Sequence, residues 1–295
     1  MRDEREAGVR AADRAWRLLE ELAARAPGTV WLAPGADDPE VAAWGVPLPQ
    51  EVRHLVGRVR SIRIGGLEEY RLAPERGLHP GGWAVGPPGT AHLLHESGGD
   101  TLFVDVDENT GAWGRVFAAT GVFLDTWAYV APSLVDWVTL LARAGLAALA
   151  GMAPEAGREP GPGPGPASVP DGADGTLPEH AAVLERLAET SHVFSYRPDL
   201  RGTPVGRARP EADPELAAVL TGLPDDALVV DLRDVAHPAT LHLPCPPGLR
   251  GYVEFQRRAG GRFAVGLPRT GQTSRSTTTG AWSEAPLPLR SSRST

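Results

Sequence analysis

The sequence contains no lysine and only one cysteine, and it has no apolar run long enough to cross a bilayer. All 29 basic residues are therefore arginines, in a chain of 295 residues with a net charge of −8. The lone Cys245 excludes an internal disulfide and any multi-cysteine zinc site. The longest apolar candidate, Leu134 to Ala150, is interrupted by Asp136 and Arg143. It is shorter than the roughly 20 residues that a membrane-spanning helix requires.

The excess of acidic residues argues against two classes of partner. A negatively charged surface repels phosphate backbones and anionic lipids, whereas it attracts a basic protein and speeds their encounter. The first residues are charged and lack the apolar core of a signal peptide. We therefore expect a cytoplasmic protein that binds another protein, without direct binding to nucleic acid or membrane. No pattern in the sequence indicates an oligomeric state.

Hydrophobic spacing predicts that residues 1–150 form one domain of helices and strands. Residues 3–26 show the three- and four-residue apolar steps of an amphipathic helix. A second helix is predicted with Pro49 at its first position and with Val52, Leu55, Val56 and Val59 as its buried stripe. Short strands separated by glycine and proline turns follow between residues 61 and 118, the first four of them at Ser61–Ile64, Glu69–Leu72, Trp83–Gly86 and His92–His95. Ser133 and Asp136 form a capping-box-like pair that opens a further helix. This order predicts an α+β fold with helices packed on a mainly antiparallel sheet.

The clearest strand signal is Thr101–Asp107, followed by turn residues and Gly114–Ala118, which predicts a β-hairpin. Along the first strand, three aliphatic residues alternate with an aromatic residue and two aspartates. One face of the strand is therefore expected in the core and the other outward. Arg115 on the return strand is expected near an outward carboxylate, as a weak exposed pair. The inward set is Leu102, Val104 and Val106, and the outward set is Phe103, Asp105 and Asp107.

The second half of the chain begins with a linker over residues 151–175, whose Gly-Pro repeat resists both helix and sheet. A smaller α+β module is predicted over residues 176–267, and a disordered tail rich in Ser, Thr and Arg over residues 268–295. The elements predicted for the module are helices at 176–190 and after Asp213, and strands at 192–196, Leu228–Leu232, Tyr252–Arg257 and Arg262–Leu267.

A metal site is the main catalytic alternative that the sequence offers. His92 and His95, with Glu96 and Asp100, form the densest group of potential ligands. Residues three apart on a regular strand face opposite sides, so the pattern favours hydrogen-bonding histidines; a bend would let the pair converge, with Asp100 as a third ligand. Phosphate-loop and nucleophile motifs are missing. We expect neither a cofactor nor enzymatic activity.

Aromatic and acidic residues cluster in and beside the predicted strands, at positions where turns present them. Tryptophans often anchor protein interfaces, with charged residues around the rim, although each such residue taken alone is better explained by packing or solvation. As a group they form the predicted partner-binding site. Its members are Glu68, Glu69, Trp83, Asp100, Asp105, Asp107, Glu108 and Trp113.

Three stretches in order resemble a known family. Gly45-Val-Pro-Leu-Pro-Gln-Glu is similar to the start of its early helix, and Gly98-Gly-Asp100-Thr-Leu-Phe-Val-Asp-Val-Asp107 to its glycine-aspartate hairpin. Ala131-Pro-Ser-Leu-Val-Asp-Trp is similar to its closing helix, with Leu134 where an aromatic residue is usual. On these motifs residues 1–150 resemble the SUKH superfamily, which includes a fungal cell-wall-synthesis regulator and bacterial immunity proteins. Residues 176–267 have no counterpart in the minimal family domain.

The resemblance implies an α+β fold and function by protein binding. Bacterial family members are thought to neutralise toxin domains, many of them nucleases, and an acidic chain suits a basic target of that kind. The leading hypothesis is therefore an immunity protein that binds a toxin domain. A regulatory scaffold, with residues 176–267 as a separate module, is the second hypothesis. A metal-dependent enzyme using His92, His95 and Asp100 is the third.

Overall fold

The computed structural model describes residues 2–64, 68–78, 91–97, 100–107, 110–120, 126–151, 199–208, 213–244 and 253–268. The helices are α1 (Arg2–Arg25), α2 (Asp38–Ala43), α3 (Gln50–Val56), α4 (Leu134–Gly151) and α5 (Pro214–Leu220). The strands are β1 (Val30–Pro34), β2 (Val59–Ile64), β3 (Glu68–Arg71), β4 (Ala91–Ser97), β5 (Asp100–Val106), β6 (Trp113–Thr120), β7 (Thr126–Ala131), β8 (Asp199–Arg201), β9 (Thr203–Pro204), β10 (Leu228–Asp231), β11 (Ala239–His242), β12 (Val253–Arg258) and β13 (Phe263–Pro268).

The strands form three sheets. The first sheet has the order β1-β2-β3, the central sheet β4-β5-β6-β7-β11-β8, and the third sheet β12-β13-β10-β9. Neighbouring strands are antiparallel except β8 and β11, which run parallel. The predicted α+β class with mainly antiparallel sheets is confirmed. No helix in the described parts of the chain is both long enough and apolar enough to span a membrane.

Local capping signals fix several helix starts. The Ser133 hydroxyl accepts a hydrogen bond from the Asp136 N–H at 3.1 Å and donates one to the Asp136 carboxylate at 2.6 Å. Asp213 caps α5 by accepting hydrogen bonds from the N–H groups of Glu215 and Leu216. Such caps satisfy N–H groups that have no partner inside the helix. The helix starts predicted at Ser133 and Asp213 are therefore confirmed, each with its physical cause.

One face of the central sheet packs against α1, α3, α4 and the inner face of the first sheet. Leu102 and Val104 of β5 lie in this core with Leu134 and Trp137 of α4. The predicted hairpin is confirmed, since β5 pairs with β6 in antiparallel register from Asp100 opposite Thr120 to Val106 opposite Trp113. Leu102 and Val104 lie beneath the Ser133 helix as predicted, whereas Val106 is buried at 2% exposure but is not part of this core cluster.

The opposite face of β5 is not exposed, and this part of the prediction is wrong. Phe103 is fully buried and Asp105 is only 5% exposed. Phe103 belongs to a second core, together with Trp127 of β7 and Phe255 of β12. The third sheet covers this side of the central sheet, which a period-two pattern within β5 cannot reveal.

The two predicted domains share a sheet and a core in the described residues. Strand β11 pairs with β7, from Ala239 opposite Tyr129 to His242 opposite Thr126. The backbones also approach closely, because a Cβ placed on Gly114 would lie 2.6 Å from the Gly260 carbonyl oxygen. The predicted linker and tail lie outside the described residues apart from their first residues, which end α4 and β13.

Other elements differ from the prediction or were missed. The sequence analysis did not predict β1, α2, β7, β8, β9 or β11. Val59 begins β2, whereas the sequence pattern placed it in the preceding helix. Pro49 stands at the N-cap of α3, one residue before the predicted position. The predicted strand at Trp83–Gly86, the helix at 176–190 and the strand at 192–196 lie outside the described residues.

Candidate functional site

The central carboxylate of the predicted site, Asp105, lies in the interior. Its Oδ1 accepts a hydrogen bond from the Arg257 Nε, and the two side chains are 7% and 2% exposed. Arg257 also lies over the Phe103 ring, 5.1 Å from the centroid. Burial raises the pKa of the Asp105 carboxyl, while the Arg257 charge opposes that shift. Asp105 is therefore not available to a partner at the surface, which corrects its predicted position.

Asp107 and Trp113 stabilise the hairpin and its surroundings. The Asp107 Oδ1 accepts hydrogen bonds from the N–H and the hydroxyl of Thr110, at 2.8 and 3.0 Å. The Trp113 indole N–H donates to the Pro47 carbonyl at 3.1 Å, and its ring lies 5.1 Å from that of His92. Both residues are partly buried, so each already has a structural role.

The remaining predicted contact residues do not come together at one place that the structure describes. Glu68 and Asp100 begin β3 and β5, in different sheets. Trp83 and Glu108 lie outside the described residues. Glu69 lines a cleft beside β4.

The two histidines of β4 join the central sheet to the first sheet. A bulge between Leu93 and His95 turns His92 and His95 toward the same side, opposite Val104 and Leu102 of β5. The His92 Nε2–H donates to the Arg71 carbonyl at 2.9 Å, and the His95 Nδ1–H donates to the Glu69 carbonyl at 3.1 Å. The structure thus shows the expected hydrogen-bonding histidines, whose partners are β3 carbonyls. No metal-ligating cluster occurs among the described residues.

The His92 imidazole predicts a specific acid sensitivity. Burial lowers its pKa from 6.5 to about 4. Between these pH values the unfolded chain binds a proton that the folded chain does not, so stability falls as the pH drops from 6.5 toward 4. The loss attributable to His92 is roughly 3 kcal/mol, because each pKa unit corresponds to about 1.4 kcal/mol.

Denaturant titrations of the wild type and His92→Gln, made at several pH values, measure this effect. The variant keeps an N–H donor for the Arg71 carbonyl but cannot titrate, so its stability should change little between pH 6.5 and 4.5. At pH 7.5, His92 is neutral in both the folded and the unfolded chain. The difference in the free energy of unfolding between wild type and variant at that pH therefore gives the pH-independent cost of the substitution. If the free energy of unfolding fell equally with pH in the two proteins, the assignment of this acid sensitivity to His92 would be contradicted.

An open cleft of about 660 Å³ lies over the outer face of the first sheet. We define the outer face as Trp31, Ala33, Ser61, Arg63, Glu69 and Arg71, which alternate with the buried residues of β1, β2 and β3. Residues 73–78 and one side of β4 wall the cleft. Its volume is within the range of small-ligand sites, which run from about 300 to 1,000 Å³.

The charged residues in the cleft are largely paired with one another. Arg60 contacts Glu40 at 2.9 Å and Glu75 at 3.5 Å. Glu69 accepts a hydrogen bond from the Ser61 hydroxyl at 3.0 Å and lies 3.8 Å from the Arg71 Nε. This network fixes the shape of the cleft and leaves its charge nearly balanced. The arrangement suits recognition of a polar protein surface better than capture of a strongly charged small molecule.

Trp31 is the one large hydrophobic side chain exposed among the described residues, at 64%. It stands on the outer face directly opposite Arg63 of β2, two residues from the cleft residue Ala33. The sequence analysis predicted no strand here, because Val30–Pro34 is a short apolar run between two Pro- and Gly-containing turns. The β-branched and aromatic residues at its start are the only signal of a strand, and nothing local marks the Trp31 ring as exposed.

Comparisons with known proteins give no match. No protein-family model, no curated protein and no solved structure matches this chain.

Proposed function

We propose that this protein acts by binding another protein on the outer face of the first sheet, as an immunity-type protein that neutralises a toxin domain. The observation that carries the proposal is the 64% exposure of Trp31 on a sheet face that also bears arginines. Tryptophan and arginine dominate the residues that contribute most to protein–protein affinity. An isolated structural tryptophan would be expected to bury most of its ring.

The shape of the outer face supports the same function. The part of the face formed by Ala33, Ser61, Glu69 and Arg71 is concave because residues 73–78 and β4 wall the cleft there, and side chains of both signs line it. Trp31 and Arg63 lie beside this cleft. Interfaces combine an apolar anchor with a polar rim of this kind. Trp31 would serve as the anchor, with Arg63 and Arg71 as rim contacts.

The family resemblance and the net charge support the kind of partner. The three stretches similar to the SUKH superfamily lie at α3, at the β5–β6 hairpin and at α4, and these elements share one core. A net charge of −8 speeds encounter with a basic toxin domain through long-range attraction. We propose a basic toxin domain as the partner on these two grounds.

Binding to a toxin domain encoded beside this chain's gene tests the proposal. Trp31→Ala should lower affinity at least about 30-fold, the equivalent of 2 kcal/mol for an interface hot spot. Arg63→Ala should have a smaller effect in the same direction. Both side chains are exposed, so neither change should alter the free energy of unfolding by more than about 0.5 kcal/mol.

Arg258→Ala is the matched control, because Arg258 is also an exposed strand arginine but lies in the third sheet. It should leave affinity and protection of toxin-expressing cells unchanged. Absence of any association, or equal binding by the wild type and Trp31→Ala, would refute the proposed site.

A further inference from the structure

Within the part of the chain that the structure describes, strand β1 pairs with another strand on one side only, and its contacts show which way its backbone groups point. The Val30 N–H donates to the Ala26 carbonyl at 3.1 Å, so it points away from β2. Backbone direction alternates along an antiparallel strand, and β1 pairs only with β2. The N–H and C=O of Leu32 therefore also point away from β2, and no hydrogen bond within the described residues reaches them.

This edge lacks most of the devices that protect edge strands. Natural edges are shielded by charged side chains, prolines, bulges or a covering element. The sequence Val-Trp-Leu-Ala-Pro carries no charge, and Pro34 stands only at its end. A bulge in the β1–β2 pairing also lies at that end, between Leu32 and Pro34. Among the described residues, the backbone of Leu32 on this side and the adjacent exposed ring of Trp31 thus form an edge without protection, with an apolar anchor.

The outer face beside this edge calls for a negative charge. Arg63 lies opposite Glu69 on β3, but the Glu69 carboxylate is turned to Ser61 and Arg71. Arg63 has no carboxylate partner among the described residues. A carboxylate carried on an added strand, on the same side as Trp31, would lie within reach of this guanidinium. The added strand would lie about 10 Å from β2, since neighbouring strands are about 4.8 Å apart, and an arginine and a glutamate side chain extended toward each other together span about that distance.

We propose that β1 receives an extended, carboxylate-bearing segment of the partner protein as an additional strand of the first sheet. Unpaired backbone groups on a sheet edge are matched by another extended backbone, which gives affinity through main-chain hydrogen bonds. Trp31 packs against the apolar residues of the added strand, and Arg63 pairs with its carboxylate. This inference rests on the proposed function and specifies how the outer face is recognised.

A phage-displayed random octapeptide library, selected on the full-length chain, provides the probe. Selected peptides should carry an acidic residue within an alternating apolar pattern. Leu32→Pro removes the outward N–H, while Leu32→Ala loses the same side chain and keeps that N–H. Peptide affinity should fall at least tenfold in Leu32→Pro relative to Leu32→Ala, as measured by fluorescence polarisation.

Backbone amide exchange of the wild type keeps the test valid even when Leu32→Pro fails to fold. The Leu32 amide should exchange rapidly in the free protein and at least tenfold more slowly when a selected peptide is bound. Unchanged exchange at Leu32 in the bound state would overturn the strand-addition proposal.

Three further outcomes are informative. Peptides that depend on Trp31 but bind Leu32→Pro and Leu32→Ala equally would overturn strand addition and leave the proposed function standing. An absence of enriched peptides would count against both. A wild-type dimer that Leu32→Pro converts to a monomer would assign the edge to a second copy of this chain, and the proposal would fail.

Discussion

Removing one member of the buried Asp105–Arg257 pair is expected to destabilise the protein by about 3–5 kcal/mol. The two side chains are 7% and 2% exposed, and they connect β5 of the central sheet to β12 of the third sheet. Asp105→Ala leaves the Arg257 guanidinium buried without its carboxylate, and Arg257→Met leaves the carboxylate buried. In both cases a buried, hydrogen-bonded ion pair is broken in a low-dielectric interior. Urea denaturation at pH 7 measures the loss.

The double variant Asp105→Leu with Arg257→Met separates the cost of breaking the pair from the net contribution of the whole pair to the free energy of unfolding. Replacing a whole buried pair by apolar residues is often neutral or stabilising, so the double variant should recover most of the stability. Arg258→Ala is the control on the same strand, because its side chain is exposed, and it should change stability by under about 0.5 kcal/mol. A cost below about 1 kcal/mol for Asp105→Ala would show that the pair is not buried as described.

Truncation of Phe255 to alanine is expected to cost about 3–5 kcal/mol. Its ring is 1% exposed and stacks on Trp127 with centroids 4.1 Å apart and planes at 13°. It also meets the Phe117 ring edge-on at 5.7 Å. The cavity would open between the central and third sheets, and thermal or urea unfolding would report the loss. Phe255→Leu, which keeps most of the volume, should cost under about 1.5 kcal/mol.

The same packing predicts the behaviour of a fragment that ends at residue 150. Without the third sheet, Phe103, Phe117 and Trp127 would face solvent. A large exposed apolar surface favours association, so the fragment should bind a hydrophobic dye and aggregate. Cooperative unfolding of the isolated fragment with wild-type stability would contradict a second core shared between the two halves of the chain.

Local signals in the sequence predicted those elements that depend on neighbouring residues. Ser133 and Asp213 identified helix starts because capping involves side chains and N–H groups only two or three residues apart. The alternation from Leu102 to Val106 identified β5 because it reflects the strand's own period. These features need no information about the rest of the fold.

Non-local packing determined what the sequence reasoning missed. Asp105 reads as an outward carboxylate in its strand, but its partner Arg257 is 152 residues away, and no local pattern connects them. The same holds for β11, a four-residue strand that is held in the sheet by pairing with β7 and β8. Trp31 was missed because its neighbours in sequence are apolar and suggest burial, whereas no other part of the described structure packs over its ring.

Mapping the contact surface is the most direct test of protein binding through the outer face of the first sheet. Hydrogen exchange of the full chain, alone and with the toxin domain encoded beside its gene, reports which backbone amides become protected. We predict slower exchange in residues 30–34 and 59–64, with no change in β12. Protection confined to the third sheet, with β1 and β2 unaltered, would contradict the account.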